Sequence, residues 1–288
     1  MNRALFVLLA ALFSTLTVAA AQSESPSSES AAPTQKLDSI NAAVVAARTA
    51  TKEKRYADAE ALMDKVTNSR PELVIPWMEL GLAQLGEKKY SDAENSLRIA
   101  LGIDAASVQR AHSEDFYQKP DVPGAIAPAA TRASRNTVGG IVNSGQSRTP
   151  EILGTGYASL GEIYAHEGKY SDAEAAFDRA VKSNPSQAAL YLRNETIFFF
   201  QAGNSDGQLA AAEKAIAVDP GRAMLYYFKG QALTLKATID PQTQRPVLPA
   251  ECVAAYRKYL ELEPNGQFAN DVTSVLSAAG VQVHPSKK

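Results

Sequence analysis

The sequence predicts an all-α solenoid of about five helix-turn-helix repeats followed by a C-terminal capping helix. The first observation is a hexapeptide pattern that occurs three times, at residues 55–60 (RYADAE), 89–94 (KYSDAE) and 169–174 (KYSDAE). The tyrosines of the first two copies are 34 residues apart, which is the period of a helix pair. Such a pair buries its apolar face only by stacking on neighbouring pairs, so the period predicts an array.

Prolines mark the ends of the later repeats. Pro220 lies 35 residues after Pro185, and Pro264 lies 44 residues after Pro220. These distances correspond to one repeat with a single extra residue and one repeat with ten extra residues. Proline lacks the N–H group and disfavours helix in the preceding residue, so each proline can end the second helix of a pair. We therefore expect five repeats.

Small residues stand where the two helices of a repeat would cross. Gly81 and Ala93 occupy these places in the second repeat, and Gly161 and Ala173 occupy them in the third. Only small side chains let two helix axes approach to about 8 to 10 Å. Cys252 takes the place of the alanine in the fifth repeat, so we expect a buried thiol. As the only cysteine, it excludes an internal disulfide framework.

The third copy carries a recognisable set of residues on its two predicted helices: Tyr157, Leu160, Gly161 and Tyr164, then Ala173, Phe177, Ala180 and Pro185. This set strongly resembles the tetratricopeptide repeat (TPR) family. The interrupted last repeat, ending YRKYLELEP at residues 256–264, looks like exported bacterial members of that family without an established activity. The resemblance implies a TPR solenoid that holds other molecules and whose repeat motif performs no chemistry.

The predicted organisation divides the chain into six parts. They are a signal peptide (1–21), a disordered linker (22–38), repeats 1 and 2 (39–107), a long insertion (108–153), repeats 3 to 5 with a small insertion near 239–249 and a capping helix (154–280), and a tail (281–288).

The N-terminus has the features of a secretory signal. Arg3 supplies a positive charge, residues 5–18 form the apolar run, and residues 19–21 (AAA) form a cleavage site. The alternative is an uncleaved anchor, although the run is shorter than the ~20 apolar residues of a spanning helix. We therefore expect a periplasmic or secreted protein with no membrane span after cleavage.

The charge balance argues against nucleic acid as a partner. After removal of the signal, 28 basic residues face 31 acidic ones, and no basic cluster is long. Binding to a phosphate backbone requires clustered positive charge. The expected partner is instead a protein or peptide.

Two local patterns predict the edges of the insertions. Thr149, Pro150 and Glu151 form a cap, a first-turn proline and a favourable acid, so the first helix of repeat 3 is expected to begin early. In the small insertion, the Asp-Pro pair at 240–241 and the Arg-Pro pair at 245–246 predict a small hairpin.

The sequence offers little catalytic or metal-binding chemistry. The three histidines are scattered, and no paired-cysteine spacing, phosphate loop or nucleophile elbow occurs. We therefore predict no catalytic residue, metal or cofactor. His112, Glu114 and Asp115 lie together in the long insertion, and they are the basis of the alternative that the protein is an enzyme with a site there.

The TPR resemblance implies a concave face lined by first-helix residues. Mapped onto this sequence, the partner-binding residues are Arg48, Met78, Leu82, Glu162, His166, Arg193, Ile197, Tyr227 and Gln231. Isolated charges among apolar anchors suit an extended peptide or a partner helix. The set lacks the paired lysines and asparagines with which co-chaperone TPR domains hold a terminal carboxylate. The predicted function is an interaction scaffold, and the alternative is an assembly factor for an envelope complex.

The signal pattern predicts that the mature chain begins at or near Gln22, because the small-residue run ends at Ala21. N-terminal sequencing of protein isolated from the native host measures this directly. A mature chain that still begins at Met1 would indicate a membrane anchor instead.

Overall fold

The computed structural model describes residues 31–103 and 148–282, which are helical almost throughout. The α-helices in these ranges are α1 (Ala31–Lys52), α2 (Tyr56–Ser69), α3 (Val74–Gly86), α4 (Tyr90–Leu101), α5 (Pro150–His166), α6 (Tyr170–Ser183), α7 (Ala188–Gln201), α8 (Ser205–Val218), α9 (Ala223–Thr234), α10 (Ala250–Leu262) and α11 (Ala269–Ala278). Consecutive helices form five hairpins, and α11 packs on the last of them. The predicted all-α solenoid with a capping helix is confirmed.

The first four hairpins turn in the same way. Each turn holds one residue in the left-handed region, with φ values of 60° at Lys54, 62° at Lys88, 73° at Gly168 and 71° at Gly203. The following N–H group then bonds a carbonyl five residues back, as Lys169 does to the Tyr164 oxygen at 2.8 Å. This turn residue gives a common reference from which equivalent positions can be counted.

The fifth hairpin contains the predicted small insertion. Its strands β1 (Thr238–Ile239) and β2 (Pro246–Val247) pair antiparallel, which confirms a hairpin at this place. The Asp240 carboxylate accepts hydrogen bonds from the backbone N–H groups of Gln242 and Thr243, at 2.7 and 3.1 Å, and thereby shapes the connecting turn.

The helix crossings require the small residues that the sequence places there. A Cβ atom added at Gly81 would lie 2.7 Å from Cγ of Leu97, and one added at Gly161 would lie 2.7 Å from Cε2 of Phe177. Ala173 is also fully buried. A side chain on either glycine would therefore push its two helices apart.

The fifth repeat has the same crossing with a cysteine in place of the alanine. A Cβ atom at Gly230 would lie 2.5 Å from Cε1 of Tyr256. Cys252 is fully buried, and its Sγ donates to the Gly230 carbonyl at 3.3 Å. Burial raises the pKa of the thiol, so Cys252 serves as a small packing residue.

The stack continues directly across the long insertion. The described residues end at Ile103, just after α4, and resume at Arg148. Arg148 lies beside the same end of α4, because its Nε donates to the Ala100 carbonyl at 2.8 Å. A Cβ atom at Gly102 would lie 2.6 Å from that guanidinium. Helix α5 then packs on α3 and α4, with Gly156 against Met78. Residues 104–147, including the candidate cluster at 112–115, lie outside the described residues.

Two predicted boundaries are corrected. Helix α1 begins at Ala31, so residues 31–38 are helical although the linker was expected to extend to residue 38. The two alanines that open this stretch are strong helix formers, and proline is tolerated in a first turn. Helix α5 begins at Pro150, so residues 150–153 belong to repeat 3, and Thr149 Oγ1 accepts from the Ile152 N–H as the cap signal predicted. The predicted signal peptide, residues 22–30 and residues 283–288 lie outside the described ranges.

Aromatic residues at the start of first helices tie successive repeats together. Trp77 Nε1–H donates to the carbonyl of Pro71 at 2.8 Å, and the Tyr226 hydroxyl donates to the carbonyl of Pro220 at 3.0 Å. Each bond joins the proline that follows one second helix to a ring six residues later. In the described ranges, none of the helices is long and apolar enough to cross a membrane.

Phe177→Ala is expected to lower the free energy of unfolding by about 3 to 5 kcal/mol, because a buried ring that fills the crossing is replaced by a cavity. Typical domains have a total of only about 5 to 15 kcal/mol, so the melting temperature should fall sharply. Leu235→Ala, at a side chain 68% exposed, is the control and should change little. Equal effects of the two substitutions in denaturant unfolding would contradict the assigned crossing.

Candidate binding surface

Four of the predicted partner-binding residues occupy equivalent positions on successive first helices. Arg48, Leu82, Glu162 and Ile197 each lie six residues before the left-handed turn residue of their own repeat. We call these four residues the groove row. All four are half-buried, and the helices that carry them, α1, α3, α5 and α7, contact one another in order. The groove row therefore runs across the first helices of four adjacent repeats.

A second set of predicted residues lies one helical turn earlier. Arg193 is half-buried and has no hydrogen bond or ion pair within the described part of the chain. Met78, at the equivalent position, is only 4% exposed and packs against Gly156. Met78 therefore supports the surface from beneath, whereas Arg193 remains available to a partner.

The predicted residues of the fifth repeat are already engaged. Tyr227 stacks on Phe268, with ring centroids 3.8 Å apart and planes at 7°. Gln231 Oε1 accepts from Gln208 Nε2 at 2.7 Å. The segment leading into the capping helix thus covers this end of the surface, because it places Phe268 on Tyr227.

Buried carboxylates on the first helices differ in whether a basic side chain accompanies them. Arg48 Nε lies 2.6 Å from Glu79 Oε1. Burial raises the pKa of Glu79, and the Arg48 charge and hydrogen bond oppose that rise. Arg48 is therefore committed to an internal ion pair between α1 and α3.

Glu195 is the most buried of these acids. Its side chain is 1% exposed, and it lies eight residues before its turn residue, where Leu80 and Leu160 stand in repeats 2 and 3. Its nearest basic group is Lys214, with Nζ 3.9 Å from Oε1. Its other oxygen, Oε2, has no hydrogen-bond partner among the described residues. A leucine position is thus filled by a carboxyl group.

Lys214 cannot fully compensate the Glu195 charge, because two other acids hold it more closely. Its Nζ lies 2.9 Å from Glu174 Oε1 and 3.1 Å from Asp178 Oδ1, both on α6. Burial raises the pKa of Glu195 to about 8, with Lys214 opposing the rise and the two α6 acids adding to it.

Glu162, in the groove row, has no compensating cation among the described residues. Burial raises its pKa to about 7. It makes no hydrogen bond or ion pair with any residue that the structure describes, unlike Glu79. His166, one turn later on α5 and exposed, stacks on Tyr90 with ring centroids 5.1 Å apart. Tyr90 is not among the partner-binding residues predicted from the sequence, although its place in the repeated hexapeptide sets it at the start of α4.

A cavity of about 350 Å³ lies between α4, α5 and α6. Two of its lining groups already have partners: the Tyr164 hydroxyl donates to Glu94 at 3.0 Å, and the Arg179 guanidinium lies over the Tyr157 ring at 5.8 Å. No group of three His, Cys, Asp or Glu side chains that could hold a metal occurs in residues 31–103 or 148–282. The groove row and Arg193 therefore remain the candidate site.

Stacked helix hairpins of one period define this molecule as a helical-repeat solenoid. The sequence profile of the tetratricopeptide repeat family matches residues 157–193, which are most of the third repeat and the start of the fourth. Residues 157–193 therefore match a tetratricopeptide repeat, and the described residues have the fold of an all-α TPR solenoid. TPR domains bind protein partners.

Solved structures of TPR proteins resemble this one. YrrB, described as a TPR protein with an unusual peptide-binding site, is 14% identical, with a TM-score of 0.49 over 86% of this chain and 98% of YrrB. The C-terminal part of a TPR repeat-containing protein from Cytophaga hutchinsonii is 16% identical, with a TM-score of 0.30 over 80% of this chain and 98% of that chain. The comparison with curated proteins finds no matching sequence.

Glu195→Gln is expected to stabilise the protein increasingly as the pH rises from about 5 to 8. A carboxyl group with a raised folded pKa keeps its proton in the folded state while the unfolded chain ionises, so wild-type stability falls across this range. One pKa unit corresponds to about 1.4 kcal/mol, and we expect a gain larger than that at pH 8.

Denaturant unfolding at pH 5, 6, 7 and 8 measures the Glu195 effect. Glu251→Gln, at an exposed acid on α10, is the matched control and should not change with pH in this way. A Glu195→Gln protein that is less stable than wild type at pH 8 would mean that the contact with Lys214 outweighs the cost of burial.

Proposed function

We propose that this protein is a non-catalytic interaction scaffold that binds a peptide or protein segment on its concave TPR face, in the bacterial periplasm or outside the cell. The location is supported by the N-terminal sequence, with one basic residue, a short apolar run and a small-residue site. The binding role is supported by the TPR fold.

The observation that carries the binding proposal is the mixture of groups along the first helices. Ile197 offers a half-buried apolar side chain, and Arg193, one turn earlier on α7, offers a guanidinium with no partner among the described residues. Arginine and apolar anchors are typical of binding hot spots, each costing about 2 kcal/mol or more when truncated. The same helix therefore presents two anchors to a partner.

Arg193→Ala combined with Ile197→Ala is expected to weaken partner binding by more than tenfold, since each ~1.4 kcal/mol is a factor of ten. Both side chains are half-buried, so the melting temperature should fall little. Tyr227 is not suitable for this test because its stacking on Phe268 would also change stability.

The matched control is Lys182→Ala combined with Val218→Ala, which removes one exposed basic and one exposed aliphatic side chain from second helices. The mature protein is used to capture partners from the envelope of its native host, and the affinity of the captured partner is measured for both variants. Full affinity of a folded concave-face variant would place binding elsewhere. Stable capture as part of a larger membrane complex would favour the assembly-factor alternative.

A further inference from the structure

Glu162 is half-buried and, among the described residues, lacks the basic neighbour that the two other buried first-helix acids have. Glu79 has Arg48 at 2.6 Å, and Glu195 has Lys214 at 3.9 Å. Glu162 has no ion pair or hydrogen bond in the ranges that the structure describes, and burial alone shifts its pKa. Burying a carboxylate without a partner is unfavourable, so a cation that arrives from outside would gain a full, partly desolvated Coulomb interaction.

The surroundings of Glu162 suit an organic cation. Burial raises the pKa of Tyr90, and the charge of the nearby Glu162 adds to that rise. Tyr90 stacks on the exposed ring of His166, which follows Glu162 by one helical turn. Ammonium and guanidinium groups are attracted both to carboxylates and to aromatic faces. A metal ion would need further ligands, and no group of three such side chains is present within the described ranges.

We propose that Glu162, beside the Tyr90 and His166 rings, is the binding position for a lysine or arginine side chain of a partner segment. This inference rests on the proposed binding at the concave face. The position is accessible to a partner side chain, because His166 is exposed and Glu162 is only half-buried.

The groove row also sets what should flank that basic residue. Leu82 and Ile197 hold the positions equivalent to Glu162 on α3 and α7, and both helices contact α5. Packed helices lie about 8 to 10 Å apart, and an extended chain advances about 3.3 Å per residue. A segment that crosses these helices therefore reaches the next helix after about three residues. The expected motif is a basic residue with an apolar residue about three positions to either side.

The test uses a display library of random twelve-residue peptides selected against the full mature protein. Enriched peptides are expected to share a lysine or arginine with apolar residues about three positions away. Replacing that lysine by norleucine, or that arginine by citrulline, should weaken binding to the wild-type protein at least tenfold.

Glu162→Gln should cause the same loss, and the two changes together should cost no more than either alone, because both remove one interaction. Glu151→Gln, at an exposed carboxylate on the same helix, is the control and should leave affinity unchanged. Melting curves of both proteins show that they are folded.

The remaining outcomes separate this inference from the proposed function. Peptides that lose affinity with the Arg193→Ala and Ile197→Ala variant, yet are indifferent to Glu162→Gln and to loss of their basic residue, would overturn the cation position and leave concave-face binding intact. Peptides whose affinity is unchanged by Arg193→Ala with Ile197→Ala and by Glu162→Gln would overturn both the cation position and concave-face binding. The absence of any enriched peptide would do the same.

Discussion

The close approach of the two helices in each repeat is the constraint on which the rest of the structure depends. Repeats 2, 3 and 5 meet it with a glycine on the first helix and a large residue on the second, as in Gly161 and Phe177. Repeat 4 exchanges the sizes: Thr196 and Ala212 stand at the two equivalent positions, and both are fully buried. The crossing thus needs a small residue on one of its two helices, and either helix can supply it.

A constant crossing keeps the first helices in register, and that register produces the surface. Arg48, Leu82, Glu162 and Ile197 follow one another because each of the first four hairpins turns at the same distance from its crossing. Charge compensation then varies along the row, since Arg48 is paired with Glu79 and Glu162 has no partner among the described residues. The backbone scaffold repeats, whereas the side chains of the groove row differ from one repeat to the next. Specificity for a partner can arise only from those side chains.

Features set by short sequence distances could be predicted, and features set by contacts between repeats could not. The glycine crossings, the hairpin near Asp240 and the cap at Thr149 depend on residues within a few turns of one another. The burial of Glu195 depends on α6 of the preceding repeat as well as on α8. The buried position of Glu195 could have been found by counting eight residues back from Gly203, because the same count from Gly168 reaches the core residue Leu160. The covering of Tyr227 depends on how the chain turns before α11.

The adjoining ends of the long insertion have a mechanical consequence. The chain departs after Gly102 and returns at Arg148, which holds the end of α4, while α5 packs directly on α3 and α4. A pulling force along the solenoid is therefore carried across the contacts of α5 with α3 and α4. Because these contacts join the two parts of the array directly, their opening is the step that separates repeats 1 and 2 from repeats 3 to 5.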